Sequence, residues 1–191
     1  YLSTTGELKT KPTQHSVKLL LEYGVQPDLL VCRTEHALTR DIRNKIALFC
    51  NVAPNAVIEA RDASTIYEVP LLMEEEQLDV VVLNHLGMPV SDNLDLVKWK
   101  EFLHKFKHPK HEVRIGLVGK YVELKDSYKS ISESFIHAGA ANDCKVVIEW
   151  IHSESITDDN VREKFKGLRG ILVAPGFGQR GIEGKITAIK F

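Results

Sequence analysis

Short apolar runs alternate with segments of helical periodicity along this chain, and no other feature constrains its fold more. In the first half, a helix predicted over about residues 13–23 precedes the run Asp28–Cys32, and a helix over Arg40–Cys50 precedes Ala56–Ala60. Neighbouring parallel strands need a crossover between them, and a helix usually provides it. The pattern therefore predicts an α/β fold built on a parallel sheet.

A second α/β unit is predicted in the other half of the chain. Its elements are, in order, the strand Val113–Val118, the helix Ser127–Ala141 and the strands Lys145–Trp150 and Gly170–Val173. This opening is Rossmann-like. Gly116 and Gly119 lie where a dinucleotide fingerprint would, but the three-glycine G-x-G-x-x-G spacing is missing, so NAD binding is disfavoured.

A polar segment separates the two halves. Residues 84–93 are rich in Gly, Pro, Ser and Asp, and Leu94–Phe106 has the pattern of one amphipathic linker helix. We therefore expect a first domain over residues 1–87, an interdomain linker over 88–112 and a second domain over 113–191.

Three histidines at the end of that linker raise the question of a metal site. His104, His108 and His111 are close in sequence, but Pro109 interrupts their helical spacing and no carboxylate lies among them. The sequence favours a polar linker, and no metal ligand is predicted there.

Charge and cysteine content limit the function classes. A net charge of −1 gives no overall basic field, so a nucleic-acid partner is not expected. Cys32, Cys50 and Cys144 form no Cys-x-x-Cys pair, which is typical of thiols in a reducing compartment and predicts a cytoplasmic protein. No apolar run approaches the roughly 20 residues of a membrane span, so no membrane partner is expected.

The two ends of the chain suggest an internal piece of a longer protein. The first residue is Tyr1 rather than methionine, and Gly184–Phe191 has an apolar helical pattern without a C-cap signal. We therefore expect further residues of the protein on both sides.

A cluster of cations and hydroxyls near the start of the chain is the strongest candidate for a ligand site. Lys9 and Lys11 are two residues apart, and Pro12 is expected to hold Lys11 extended, so both ammonium groups would project to one side. Thr13 or Ser16 would then cap the following helix, whose N-terminus favours phosphate. The cluster predicts either a polyanion site or an ordinary solvated basic turn, and its own residues leave both open.

Five segments resemble, in the same order, the CTP synthase family of glutamine-dependent enzymes, which aminate UTP to CTP. They are Gly6–Ser16, Asn44–Val52, Ser64–Pro70, Ile115–Leu124 and Pro175–Gly181. The resemblance implies the end of a P-loop-like parallel-sheet amidoligase domain, then the linker helix, then the start of a Rossmann-like class I glutamine amidotransferase domain. It also implies UTP, CTP, ATP and glutamine as partners, GTP as activator, Mg²⁺ with ATP, and a homotetramer.

The resemblance carries nucleotide sites onto named residues. UTP or CTP binding is implied for Lys9, Thr10, Lys11, Pro12, Thr13, Gln14 and Lys45. Compact ammonium groups suit a triphosphate, and the amide of Gln14 can both donate and accept hydrogen bonds. The family's ATP contacts, largely made by backbone, fall on Arg61, Asp62 and Ala63.

The segment after the strand Gly170–Val173 resembles the glutamine-binding loop of class I amidotransferases. The resemblance implies that Gly176 and Phe177 contact glutamine or its oxyanion, because glycines let backbone N–H groups turn toward a carbonyl. The family usually has two glycines before the aromatic residue, whereas here Pro175 takes the first place. The same resemblance implies a GTP-responsive lid with Arg180 and Glu183, and a glutaminase interface lined by Lys120 and Tyr121.

Several parts of the family's machinery are missing from this sequence. It contains no Gly-x-x-x-x-Gly-Lys-Ser/Thr phosphate loop, and none of its cysteines lies in a Gly-x-Cys-x-Gly elbow. No catalytic residue and no metal ligand is therefore assigned here. We expect the phosphate loop and the Mg²⁺ carboxylates upstream, and the cysteine nucleophile with its His and Glu partners downstream. The chain alone is predicted to be inactive.

Two other interpretations stay open. One is another glutamine-dependent P-loop amidoligase, such as those acting on cobyrinate, and the uridine segment Lys9–Gln14 argues against it. The other is a catalytically dead nucleotide-sensing or filament-forming module, which the intact parent sequence would reveal.

Overall fold

The computed structural model describes residues 1, 4, 6–91 and 94–191 of the chain. Its contacts divide the chain into two compact units, Tyr1–Leu94 and Asp95–Phe191. The division falls inside the segment expected to be a linker. No helix among the described residues is long and apolar enough to cross a membrane.

The described part of the first unit contains two parallel strands among four helices. The elements are α1 (Lys11–Glu22), β1 (Leu30–Thr34), α2 (Arg40–Cys50), β2 (Val57–Arg61), α3 (Val69–Glu75) and α4 (Leu78–His85). In the parallel register, Leu30 lies opposite Val57 and Thr34 lies opposite Arg61. The predicted α/β fold with a parallel sheet is confirmed, and α2 has the bounds that its sequence pattern predicts.

Helix α1 begins before the residues predicted for it. Lys11 is its first residue and Pro12 its second, where a proline is tolerated because first-turn N–H groups have no intrahelical partner. The extended conformation expected for Lys11 is therefore wrong. The expected cap is also wrong: Thr10 takes the N-cap position without a side-chain bond, and Ser16 Oγ donates to the Pro12 carbonyl inside the helix at 3.1 Å.

Helix α2 is capped at both ends and packs against α1 and the sheet. Thr39 Oγ1 accepts the Ile42 N–H at 3.4 Å, and Asn51 ends the helix in the left-handed conformation. The buried core consists of Val17, Ile46, Ala47, Cys50 and Val57. This core joins α1, α2 and β2.

A charged network ties α2 to β2 and to the residue after α3. The guanidinium of Arg43 donates to both carboxylate oxygens of Glu76, at 2.5 and 2.8 Å, and to Glu59 at 3.2 Å. Glu76 also accepts the Glu59 N–H at 2.8 Å, and the buried Glu59 carboxylate accepts the Leu38 N–H at 2.6 Å. The hydrogen bond from Arg43 lowers the pKa of Glu76 although burial opposes it. The network therefore holds α2 on β2 through paired charges.

The described part of the second unit contains three parallel strands in the order β4-β3-β5. The elements are α5 (Val97–Lys107), β3 (His111–Gly119), α6 (Lys129–Ala141), β4 (Cys144–His152), α7 (Val161–Lys164), β5 (Gly170–Val173) and α8 (Ile182–Lys190). Adjacent side chains of β3 enter opposite cores: Leu117 packs with Tyr128, whereas Val118 packs with Phe165 and Ala188. The sheet is therefore buried on both faces, as a Rossmann-like unit requires.

Helix α5, the predicted linker helix, packs against α6. The ring of Phe102 meets the ring of His137 edge-on, with 5.5 Å between centroids, and Leu103 is buried. The rings of His104 and His108 lie 4.7 Å apart. Within the described ranges, no group of three or more His, Cys, Asp or Glu side chains is placed to hold a metal ion.

Candidate functional site

The carboxyl ends of β1 and β2 open onto the first candidate site. Parallel strands end at the same edge of their sheet, where open α/β proteins bind ligands. A cavity of about 420 Å³ is lined there by Thr34, at the end of β1, and by Asp62, directly after β2. A cavity of about 670 Å³ shares Lys9 and Thr10 with it. We call this larger cavity the lysine cavity.

The structure brings most of the predicted UTP residues together around these two cavities. Those that line the lysine cavity are Lys9, Thr10, Lys11 and Lys45. Thr13 lines the smaller cavity with Lys9 and Thr10. Pro12 and Gln14 are not among the described residues that line either one. Gln14 Nε2 instead donates to Thr10 Oγ1 at 3.0 Å, so Gln14 supports the buried Thr10.

The lysine cavity carries an excess of positive charge. Lys9 Nζ lies 2.6 Å from Glu7 Oε2, and this hydrogen bond lowers the pKa of Glu7. Lys11 and Lys45 form no salt bridge with any residue that the structure describes. Three ammonium groups facing one carboxylate leave a net positive charge, which favours a polyanionic ligand.

The predicted ATP residues line a separate cavity of about 200 Å³, which contains Arg61, Asp62 and Ala63. Besides the polar Arg33 and Thr65, the other wall residues are apolar: Ala60, Ile66, Val69, Leu72 and Met73. Asp62 accepts from Arg33 Nη2 at 3.1 Å, and its N–H donates to the Thr34 carbonyl at 3.0 Å. The cavity combines apolar surface with fixed backbone groups, a setting suited to a flat heteroaromatic ring.

The loop of residues 174–180, which we call the glycine loop, follows β5 in the second unit. Lys120, directly after β3, is only 2% exposed, and its Nζ donates to the carbonyls of Phe177 at 2.6 Å and of the next residue at 3.0 Å. Lys185 of α8 donates to the Ala174 carbonyl at 2.8 Å. Burial, together with the charge of Lys120, lowers the pKa of Lys185. Two cations therefore hold the main chain of the loop.

Gly176 and Phe177, the residues predicted to bind the substrate glutamine, lie in this held part of the loop. A Cβ added to Gly176 would lie 3.5 Å from Lys185 Nζ and 3.6 Å from Lys120 Cδ, so both lysines pack beside this residue. The ring of Phe177 is fully exposed, whereas its carbonyl is bound by Lys120. Lys120 was expected to line a glutaminase interface, and the structure instead buries it beneath the glycine loop.

Arg180 fixes the far end of the glycine loop. Its Nη2 donates to the Lys120 carbonyl at 3.2 Å, and its Nε lies 2.9 Å from a carboxylate oxygen of Glu154. The guanidinium also lies over the ring of Tyr121, 5.4 Å from the centroid. Glu183, the other predicted lid residue, is exposed in the first turn of α8.

Helix α8 starts in close contact with the residue that follows β4. A Cβ on Gly184 would lie 1.7 Å from the Ser153 carbonyl oxygen, so only glycine fits there. The Ser153 side chain is fully buried. This contact sets where α8, and with it Lys185, stands relative to the loop.

Comparison with known proteins gives a family match for each of the two parts of the chain. Residues 1–88 match the family described as CTP synthase N-terminus, and residues 123–191 match the family described as glutamine amidotransferase class-I. Curated relatives named CTP synthase match the chain from end to end. Over its whole length, this chain is similar to a part of the CTP synthases. The pairing of a synthase domain with an amidotransferase domain is the one that its sequence predicts.

Individual relatives show how much of a CTP synthase the chain represents. The CTP synthases of Flavobacterium johnsoniae, Cytophaga hutchinsonii and Bacteroides fragilis are 62%, 61% and 56% identical to it. Each alignment covers 100% of this chain and 35–36% of the relative. The chain therefore spans about a third of the length of the curated CTP synthases that it matches.

Several residues of these sites were missed from the sequence. Arg33 and Thr34 line the smaller cavity. Both directly follow a predicted strand, and because ligands bind at the carboxyl ends of parallel strands, the sequence could have indicated them. Lys185 gave no such signal, because a lysine in an amphipathic helix is normally solvated. Its carbonyl partner becomes visible only once α8 is placed beside β5.

Proposed function

We propose that the full-length protein carrying this chain is a CTP synthase, which aminates UTP to CTP with ATP and with ammonia taken from glutamine. The lysine cavity carries the proposal, because three ammonium groups meet there in a chain whose relatives are named CTP synthase. Those names also favour this function over that of another glutamine-dependent amidoligase.

In this proposal the lysine cavity holds the triphosphate of UTP, and of the product CTP. Lys11 and Lys45 form no salt bridge with any described residue, although the charge of Lys45 also lowers the pKa of Glu7, so both ammonium groups can still bind phosphate oxygens. Lys9 is paired with Glu7 and therefore contributes less to phosphate binding. Thr10, Thr13 and Gln14 supply hydroxyl and amide groups around the same nucleotide.

ATP is proposed to bind beside Arg61, Asp62 and Ala63, with its adenine against the apolar wall of the 200 Å³ cavity. Backbone groups of this segment are fixed by the pairing of Asp62 with Thr34. Mg²⁺ would accompany the ATP phosphates. Among the described residues, no group of three or more His, Cys, Asp or Glu side chains is placed to hold the ion.

Glutamine is proposed to bind at the glycine loop, with Gly176 and Phe177 facing the carboxamide. The amidotransferase match and the fixed carbonyls of the loop support this placement. GTP is proposed as an activator near Arg180 and Tyr121, and the assembly as a cytoplasmic homotetramer. No nucleophile is assigned to Cys32, Cys50 or Cys144, because none has the elbow sequence.

The experiment uses the full-length enzyme carrying Lys11→Ala, with CTP formation followed by the absorbance change that accompanies conversion of UTP. A hydrogen bond to a charged group contributes about 1.5–3 kcal/mol, so the KM for UTP should rise by roughly 10- to 150-fold. Basal glutamine hydrolysis should keep its wild-type rate, because Lys11 belongs to the other candidate site.

Lys18→Ala is the matched control, since Lys18 is an exposed lysine of the same helix and lines neither cavity. Its KM for UTP should equal that of the wild type. An unchanged KM in Lys11→Ala, or an equal rise in both variants, would reject the lysine cavity as the UTP site.

A further inference from the structure

The ammonium group of Lys120 is buried without a carboxylate partner among the described residues. Its side chain is 2% exposed, and its hydrogen bonds go to two main-chain carbonyls, at 2.6 and 3.0 Å. A buried charge normally requires an ion pair or several strong hydrogen bonds. Here the carbonyls of Phe177 and Gly178 provide that compensation, so the conformation of the loop and the burial of the lysine depend on each other.

Lys185 acts in the same way on the other side of Gly176. It binds the Ala174 carbonyl at 2.8 Å, so held carbonyls lie both before and after the glycine. Gly176 has no side chain that could anchor it. Its position is therefore set by the two lysines that pack beside it.

The orientation of these carbonyls also decides where the loop's N–H groups point. The C=O and N–H of a trans peptide point in opposite directions. Because the Phe177 and Gly178 carbonyls point at Lys120, the N–H groups of Gly178 and Gln179 point away from it. Neither N–H donates to an acceptor in the part of the chain that the structure describes. The loop thus presents free donors on the side opposite the buried charge.

We propose that Lys120 and Lys185 are positioning residues for glutamine hydrolysis: they hold the glycine loop with its N–H groups turned toward the substrate carboxamide. This inference rests on the proposed glutaminase function of the loop. When a nucleophile adds to the carboxamide carbon, the C=O π electrons move to the oxygen, which becomes an oxyanion before ammonia leaves. Donors fixed in advance stabilise that charge more than the neutral substrate. The positive charge of Lys120 beneath the loop acts in the same direction.

The test is Lys120→Met in the full-length enzyme, because methionine keeps most of the length of the side chain and removes the charge. Loss of one oxyanion donor typically costs 10²- to 10³-fold in kcat, and a loosened donor should cost at least about tenfold. We expect kcat for glutamine hydrolysis to fall by that factor while the KM for glutamine stays within about threefold. Lys166→Met, at an exposed lysine of the same unit, should leave both constants unchanged.

CTP formation from added ammonia separates this inference from the proposed function. If the wild type forms no CTP from UTP, ATP and ammonia, the proposed function fails, whatever Lys120 does. If ammonia supports CTP formation and Lys120→Met hydrolyses glutamine with wild-type kcat, only the positioning role is overturned. A raised KM at unchanged kcat also overturns it, because that result indicates uniform substrate binding.

Lys185→Met decides the case in which Lys120→Met loses stability together with all activity. This variant removes a single carbonyl contact at the rim of the loop. A fall in its kcat at unchanged KM, with ammonia-dependent CTP formation retained, supports the positioning role. A wild-type kcat in Lys185→Met overturns it.

Discussion

Replacing Glu76 by Gln tests whether the charged network stabilises the first unit. The substitution keeps the shape of the side chain but puts an amide where the carboxylate receives two bonds from Arg43 and one from the Glu59 N–H. Hydrogen bonds to charged groups contribute about 1.5–3 kcal/mol each. Glu76 is 22% exposed, and the amide of the substituted Gln can still accept one of the three bonds. We therefore expect the free energy of unfolding of the first unit to fall by about 3 kcal/mol.

Hydrogen exchange is the suitable assay, because both tryptophans, Trp99 and Trp150, lie in the second unit and do not report on the first. A loss of about 3 kcal/mol corresponds to roughly 100-fold faster exchange of the slowest amides in α2 and β2. Amides of β3 should keep their wild-type rates. Glu75→Gln, at the exposed neighbouring position, is the control and should change neither set.

The pH dependence of this effect follows from the pKa of Glu76, which Arg43 lowers in the folded protein. The stabilisation is fully present above the unfolded pKa of about 4.3, and it is lost as the pH falls through the lower folded value. Glu76→Gln should therefore remove part of the acid sensitivity of the first unit. Exchange within threefold of the wild type at neutral pH would refute the stabilising role of the network.

Two further predictions concern the two candidate sites. Gly184→Ala should destabilise the second unit by about 3 kcal/mol, seen as a lower urea midpoint of tryptophan fluorescence, because its Cβ would meet the Ser153 carbonyl at 1.7 Å. Gly170→Ala is the control, with ordinary contact at 3.5 Å, and an equal effect of both changes would contradict the argument. Glu7→Gln should lower the KM for UTP by less than tenfold, because it frees Lys9 in a solvent-screened setting, and a raised KM would count against the charge argument.

The sequence predicted the bounds of an element well where capping residues mark both of its ends. Helix α2 has a threonine cap and a left-handed asparagine at its end, so its bounds follow from sequence. Helix α1 lacks a side-chain cap, and Pro12 is compatible both with a preceding extended residue and with a first helical turn. The sequence around Pro12 therefore does not fix where the helix begins.

The sequence likewise predicted some residues of the candidate sites and not others. Lys9, Lys11 and Lys45 could be grouped from the sequence because a family resemblance linked segments that are far apart in the chain, and the structure lines one cavity with all three. The contacts of Lys120 could not be predicted, since its partners lie 57 and 58 residues away and are main-chain atoms with no side-chain signature. Contacts of that kind depend on the sheet order, which places β3 beside β5.

Equilibrium binding of UTP and of uridine to the full-length enzyme tests the central claim most directly, because the two ligands differ only in the triphosphate. Wild type should bind UTP at least about 100-fold more tightly than uridine, and Lys11→Ala combined with Lys45→Ala should remove most of that difference while uridine binding stays the same. If the double variant kept the wild-type preference for UTP over uridine, the lysine cavity would not be the site of the triphosphate.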